Sequence, residues 1–284
     1  MLVIFLQGGI GNQLFQYALY TKLKKLGKRV RLDYSSIEDQ MNNINRQTIF
    51  DVFELDRHYN LAAVRGIFGK IQRRIVNRVF LKMAGVYAEK EEGKFDPDIL
   101  RLKKGYLHGY WQTSKYFADC EEELKECLKF KKPLTAANEE ILARIKNAKC
   151  PVSLHVRLGD YTAEQFRGIF GNICTREYYQ KAIAHIRDKY PDATFFVFSN
   201  EPDKVTEVID IPNAVIVDVN DESTASFDMY LMSQCKHNIL ANSSFSWWAA
   251  WMNQNPQKEI VAPKKWFNGI AMPDICPDHW VRIE

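Results

Sequence analysis

Leu2-Val3-Ile4-Phe5-Leu6-Gln7-Gly8-Gly9-Ile10-Gly11-Asn12-Gln13-Leu14 is an apolar run, broken by glycines and then resumed with helical spacing. A short unbroken apolar run suits a strand covered on both faces, as in a parallel sheet. The glycines let the chain turn tightly and approach a ligand closely. Beyond them Leu14, Phe15, Ala18, Leu19 and Leu23 recur on one face, which predicts a helix from about Asn12 to Leu26. Gly27 is the expected C-cap, and Arg29–Asp33 a second strand. Strand, glycine turn, helix and strand together open a doubly wound α/β sheet.

A second α/β rhythm starts near Cys150. Strands are expected at Val152–Val156, Thr194–Phe198, Ala214–Val217 and Asn238–Ala241. Thr175 should cap a helix running to about Lys189, and another helix should span Phe245 to Asn253. Between the two rhythms, Tyr106–Tyr110 reads as a strand. Residues 118–149 read as helical, with Pro133 breaking them in two. These patterns predict two Rossmann-like domains with parallel sheets, 1–149 and 150–284, facing each other across a cleft.

The chain has 284 residues and a net charge of +4. That charge suits an anionic small ligand, whereas nucleic acid calls for a larger basic excess. The six cysteines form no Cys-x-x-Cys pair and no zinc-spaced cluster, so reduced thiols and no metal are expected. Met1–Leu6 is too short for a secretion signal or a membrane span, which points to a cytoplasmic protein. Residues 61–83 carry six basic residues and no acidic one along an apolar helical stripe. The ordinary reading is a core-packed helix with a solvated basic face; the alternative is a peripheral contact with an anionic membrane surface.

Three motifs carry chemistry. The first is the Gly8–Gln13 turn, whose following helix N-terminus favours anions. It also admits an NAD-dependent dehydrogenase, with Asp33 on the ribose, but the third glycine of the dinucleotide fingerprint falls on Leu14. The second is His155-Val156-Arg157-Leu158-Gly159-Asp160-Tyr161 at a strand end, where an open α/β sheet places ligands. Arg157 can fork two donors onto a diphosphate; a structural pair with Asp160 is the bland alternative. The third is Asn242-Ser243-Ser244-Phe245, hydroxyls and free N–H groups at a helix start that suit a phosphate. A multiply capped helix explains the same letters, with Trp247, Trp248 and Trp251 as core in either case. Asp228 precedes it as a candidate acceptor for a base edge, or as an ordinary surface carboxylate.

Six segments, Gly8–Ala18 (GGIGNQLFQYA), Gly109–Phe117 (GYWQTSKYF), His155–Tyr161 (HVRLGDY), Cys174–Ile183 (CTREYYQKAI), Phe195–Asn200 (FFVFSN) and Asn242–Trp251 (NSSFSWWAAW), resemble the bacterial α1,2-fucosyltransferases. The resemblance covers most of the chain. It implies a GT-B architecture and inverting, metal-independent transfer of fucose from GDP-fucose to the 2-hydroxyl of a galactose-terminated glycan. It implies that Arg157 holds the β-phosphate, His155 and Asp228 the guanine, and Ser243 and Ser244 the α-phosphate. Gly9, Gly11, Asn12, Gln13, Ser199, Asn200, Asn242 and Phe245 complete the expected donor site. Trp111, Gln112, Asp160 and Tyr161 are the expected acceptor contacts. Asp160, and after it Glu164, are the candidates for taking the hydroxyl proton. Ser199-Asn200-Glu201-Pro202 departs from the family, which more often carries an Asp pair after that serine. A transferase using another nucleotide sugar remains an alternative, as does a metal-dependent enzyme using Asp96-Pro97-Asp98, although that triplet reads as a turn.

Overall fold

A computed structural model describes residues 1–35, 37, 47–55, 85–159, 164–270 and 273–284. Asp160, Tyr161 and the basic stretch 61–83 lie outside them. The chain divides into two compact units, Met1–Lys131 and Lys132–Glu284.

The first unit contains β1 (Leu2–Phe5), α1 (Ile10–Lys25), β2 (Val30–Asp33), β3 (Val86–Ala88), β4 (Gly105–His108) and α2 (Glu121–Cys127). Its sheet runs β2-β1-β4-β3 with every pairing parallel. Strand β1 is central and apolar throughout because it has a strand on each edge and α1 packed over it. Helix α1 starts two residues earlier than its apolar spacing predicts, because extended Gly9 serves as its N-cap. Its end is closed by a pair of backbone bonds, Lys28 N–H to the Leu23 carbonyl and Gly27 N–H to that of Lys24. That closure needs a left-handed residue, and Gly27 supplies it at φ 72°.

The second unit contains α3 (Ala136–Asn147), β5 (Cys150–Val156), α4 (Glu164–Phe170), α5 (Arg176–Lys189), β6 (Ala193–Ser199), β7 (Val215–Val217), α6 (Ala225–Ser233), β8 (His237–Ile239), α7 (Ser244–Met252), β9 (Ile260–Pro263) and β10 (Val281–Ile283). Its sheet runs β10-β9-β8-β5-β6-β7, again wholly parallel. Helix α5 lays Tyr178, Tyr179, Ala182 and Ile186 on Val152, Leu154, Val156 and Val197 of the sheet. Thr175 accepts the Tyr178 N–H at 3.3 Å and so caps α5 as expected. Trp247 and Trp248 are fully buried, and Trp251 nearly so.

The unit boundary falls at Lys131/Lys132 rather than at 149/150. Helix α3 belongs with the second unit because it packs on α6 and buries Ile141 and Ile145. Asn138 on α3 and Asn220 also exchange amide hydrogen bonds of 2.9 and 2.8 Å. All six cysteines are unpaired. Among the described residues no helix is long and apolar enough to cross a membrane.

Candidate functional site

In the second sheet the chain goes from β5 to β6 and β7 on one side, then returns to place β8 on the other. The strand order therefore reverses between β5 and β8. In open α/β sheets ligands bind outside the carboxyl ends of the two strands at such a point. Residues following β5 are Arg157, Leu158 and Gly159; those following β8 are Leu240 to Ser243. Two buried tyrosines of α5 fix both strand ends. Tyr179 donates its hydroxyl to the His155 carbonyl at 3.0 Å, and Tyr178 donates to that of Leu240 at 2.6 Å. The Cys174–Ile183 segment thus earns its place by anchoring the crevice, which its letters alone did not disclose.

His155 is only 3% exposed, and its Nδ1 has no hydrogen-bond partner among the described residues. Burial, and secondarily the Arg157 charge, push its pKa down to about 3, so the ring is neutral at pH 7. A buried, neutral imidazole with an unused ring nitrogen suits one hydrogen bond to a ligand. Its ring lies 5.7 Å from that of Phe245. Ser243 caps α7 by accepting the Phe245 N–H at 3.3 Å. Capping uses an oxygen lone pair, so the hydroxyl proton can still be donated outward beside the positive end of α7. Asp228, in the first turn of α6, is not a solvated carboxylate. Burial pushes its pKa up to about 7, although an Asn220 amide donates to it at 2.7 Å.

Other expected donor contacts hold backbone instead. Asn242 donates its amide to the Phe170 and Trp266 carbonyls at 3.2 and 3.1 Å. Its side-chain oxygen accepts the Cys174 thiol at 3.4 Å. Asn200 grips the loop after β5, accepting from the Leu158 N–H at 2.9 Å and donating to its carbonyl at 3.2 Å. Next to that grip, Gly159 turns the chain at φ 65°. The Ser199 hydroxyl accepts the Glu201 N–H at 3.1 Å. Glu164, at the start of α4, is exposed.

The first sheet has its own reversal between β1 and β4. Gly8 turns at φ 80°, and a Cβ there would lie 2.7 Å from the Asn12 amide. Asn12 accepts the Gln112 amide at 2.7 Å. Gln13 is buried and holds backbone: it donates to the Gly8 carbonyl at 2.8 Å and accepts the Ile49 N–H at 3.1 Å. Gln16 joins both strand ends, accepting the Gln7 N–H and donating to the Gly109 carbonyl, each at 3.0 Å. The Gln112 side-chain oxygen is buried without a partner among the described residues. Gly9 and Gly11 place the first N–H groups of α1 beside this turn. Sequence reasoning missed Gln16 and Glu89. A polar residue on the buried side of α1 was the available signal for Gln16; Glu89 lay in an acidic loop that gave none.

Residues 94–284 match glycosyl transferase family 11. The chain belongs to glycosyl transferase family 11. Over 98% of its length, and 99% of the relative's, it is 32% identical to the O-antigen biosynthesis glycosyltransferase WbnK of Escherichia coli. It is 30% identical to an α-1,2-colitosyltransferase of Escherichia coli, covering 100% of this chain and 99% of that one. A galactoside α-(1,2)-fucosyltransferase 1 of Rattus norvegicus is 34% identical over 106 residues, 36% of this chain and 27% of the relative. This family 11 chain is thus an enzyme that transfers a sugar.

The rival readings fit the family 11 chain poorly in their own residues. Asp33 is buried, accepting the Tyr106 hydroxyl at 2.8 Å and the Ser35 N–H at 3.1 Å, so it is not presented to a ribose. Asp96 caps a short 3₁₀ helix by accepting the Asp98 N–H at 3.1 Å. Lys90 approaches both Asp96 and Asp98, at 3.0 and 3.1 Å, so the Asp-x-Asp triplet faces an ammonium group.

Proposed function

We propose that this chain moves L-fucose from GDP-fucose to the 2-hydroxyl of a terminal β-galactose, with inversion at the anomeric carbon. The observation that carries the reading is the crevice between β5 and β8. It brings a neutral buried histidine, an arginine and a serine-capped helix N-terminus to the ends of two adjacent strands. Those groups match a base and a diphosphate. The sugar and linkage are supported by the likeness to α-(1,2)-fucosyltransferases and α-1,2-colitosyltransferase.

In this reading the second unit holds the donor, and Trp111 and Gln112 of the first serve the acceptor. The hydroxyl attacks C1 of fucose in line with the departing GDP. Charge builds on the departing diphosphate, where Arg157 and the α7 N-terminus stabilise it. The hydroxyl proton passes to a carboxylate. Asp160 is the first candidate for that role and exposed Glu164 the second. The colitosyltransferase likeness gives the second reading, a nucleotide-activated colitose as donor. A screen of nucleotide sugars with simple β-galactosides, reading released nucleotide and product linkage, is expected to give GDP-fucose turnover and an α1,2 product. Transfer only from UDP-galactose, or only from the colitose donor, would sink the fucose assignment.

Transfer is also expected to proceed without a divalent metal, because the guanidinium and the helix terminus can neutralise the diphosphate. Turnover in excess EDTA should stay within about twofold of the untreated enzyme, a difference of roughly 0.4 kcal/mol. Complete loss in EDTA, restored by Mg²⁺ or Mn²⁺, would overturn this.

A further inference from the structure

Glu89 lies one residue past β3, and its carboxylate holds two consecutive amides of the turn that follows β4. One oxygen accepts the Tyr110 N–H at 2.7 Å and the other the Trp111 N–H at 3.1 Å. Its own N–H donates to the His108 carbonyl at 2.9 Å. Gly109 packs directly on it: a Cβ there would fall 2.5 Å from the Glu89 Cβ and 2.8 Å from a carboxylate oxygen. Position 109 therefore has to be glycine for the carboxylate to reach the next two amides.

The backbone so held is strained. Trp111 has φ 58°, a left-handed conformation that a bulky side chain persists in only when its surroundings enforce it. Its indole is fully buried, which fixes the turn from the side-chain end. Glu89 fixes it from the backbone end. The next residue is Gln112, which bonds Asn12 and has a buried oxygen without a partner among the described residues. Burial raises the Glu89 pKa to about 7, partly opposed by hydrogen bonds from the Tyr110, Trp111 and Gly93 backbone.

We infer that Glu89 is a positioning residue for acceptor recognition, locking the Gly109–Gln112 turn so that the Gln112 carboxamide is presented to an incoming sugar hydroxyl. Both carboxylate oxygens hold backbone, two N–H groups of it in the turn, so Glu89 acts through the turn and not on the sugar. The acceptor part rests on the proposed reading of the first unit. A neutral amide cannot replace the carboxylate: one end of a glutamine accepts an N–H, but the other presents donors to the second N–H.

The experiment is a double-mutant cycle on Glu89→Gln and Gln112→Ala, with steady-state kinetics in both substrates and whichever donor the screen identifies. In folded Glu89→Gln the acceptor KM should rise about tenfold and the donor KM stay within about twofold. The double variant should lose no more than Gln112→Ala alone, because both changes remove one function. A merely structural Glu89 would lower Tm and the active fraction and leave both KM values alone. That result, or strictly additive losses, would overturn the inference. Non-additive losses falling on the donor KM instead would keep the positioning role and reject the acceptor reading. Should Glu89→Gln fail to fold, Glu89→Asp enters the same cycle. It keeps the charge but withdraws the carboxylate by one carbon, and the same outcomes apply.

Discussion

Arg157→Ala is expected to cut turnover roughly a hundred- to thousand-fold, about 3–4 kcal/mol, while Tm stays near that of the unmodified protein. The argument starts from position. Val156 ends β5 with its side chain buried in the core, and Arg157 is the first residue beyond it, partly exposed. A polar side chain there disturbs no apolar packing. Its charge is already felt in the crevice, where it helps to keep His155 neutral. A guanidinium offers paired donors that match two phosphate oxygens, whereas a lysine offers one compact charge, so Arg157→Lys should not rescue. The contact strengthens as GDP leaves, so its loss falls on kcat more than on donor KM. A purely structural arginine would give the reverse pattern of lowered Tm and partial activity. A folded Arg157→Ala enzyme keeping more than about a tenth of normal turnover, a loss under roughly 1.4 kcal/mol, would remove Arg157 from the mechanism.

The elements legible in the sequence were those with a strong period or a cap. β1, α1 and β2 follow from one apolar run, one helical stripe and Gly27; β5 and α5 follow from an apolar run and Thr175. β9 and β10, of four and three residues, were not read, although β7 and β8 are as short and were. The strand-end motifs were located correctly, but the roles of their polar residues were not separable. Asn242 beside Ser243 looks like a ligand group until the Trp266 carbonyl, 24 residues away, is seen to occupy its amide. Gln13 is occupied by Ile49, 36 residues on, and Asn200 by Leu158, 42 residues back. A buried polar side chain must be satisfied by something, and sequence does not say whether backbone or ligand does it. Glu89 shows the opposite failure. Its neighbours Lys90, Glu91, Glu92 and Gly93 read as a solvated acidic loop, and only the fold brings Tyr110 and Trp111 onto it.

Asp228→Asn is expected to weaken GDP binding about a hundredfold, near 2.7 kcal/mol, and to abolish its pH dependence. Guanine presents two adjacent N–H donors on one edge, and an ionised carboxylate accepts both; an asparagine accepts one and opposes the other. In the empty protein burial holds Asp228 near pKa 7, with the Asn220 amide favouring the charged form less strongly. GDP selects the ionised form, so binding releases a proton when the pH lies below about 7. GDP affinity should therefore rise by up to about tenfold per pH unit toward pH 7 and then level off. The stability of the empty protein should move the other way. The folded state binds this proton more tightly than the unfolded chain, whose pKa is the ordinary 3.8. The contribution is thus fully present below about pH 4 and is lost as the pH rises toward 7. Asp228→Asn removes that loss, so the variant should melt higher than the unmodified protein at neutral pH while binding GDP worse. An ordinary structural carboxylate would not couple a gain in Tm to a loss of nucleotide affinity. Calorimetric titration of GDP between pH 5.5 and 8.5, in both proteins and in two buffers of different ionisation enthalpy, counts the protons released. Equal affinities within about threefold, or the same pH slope in both proteins, would take the guanine edge away from Asp228.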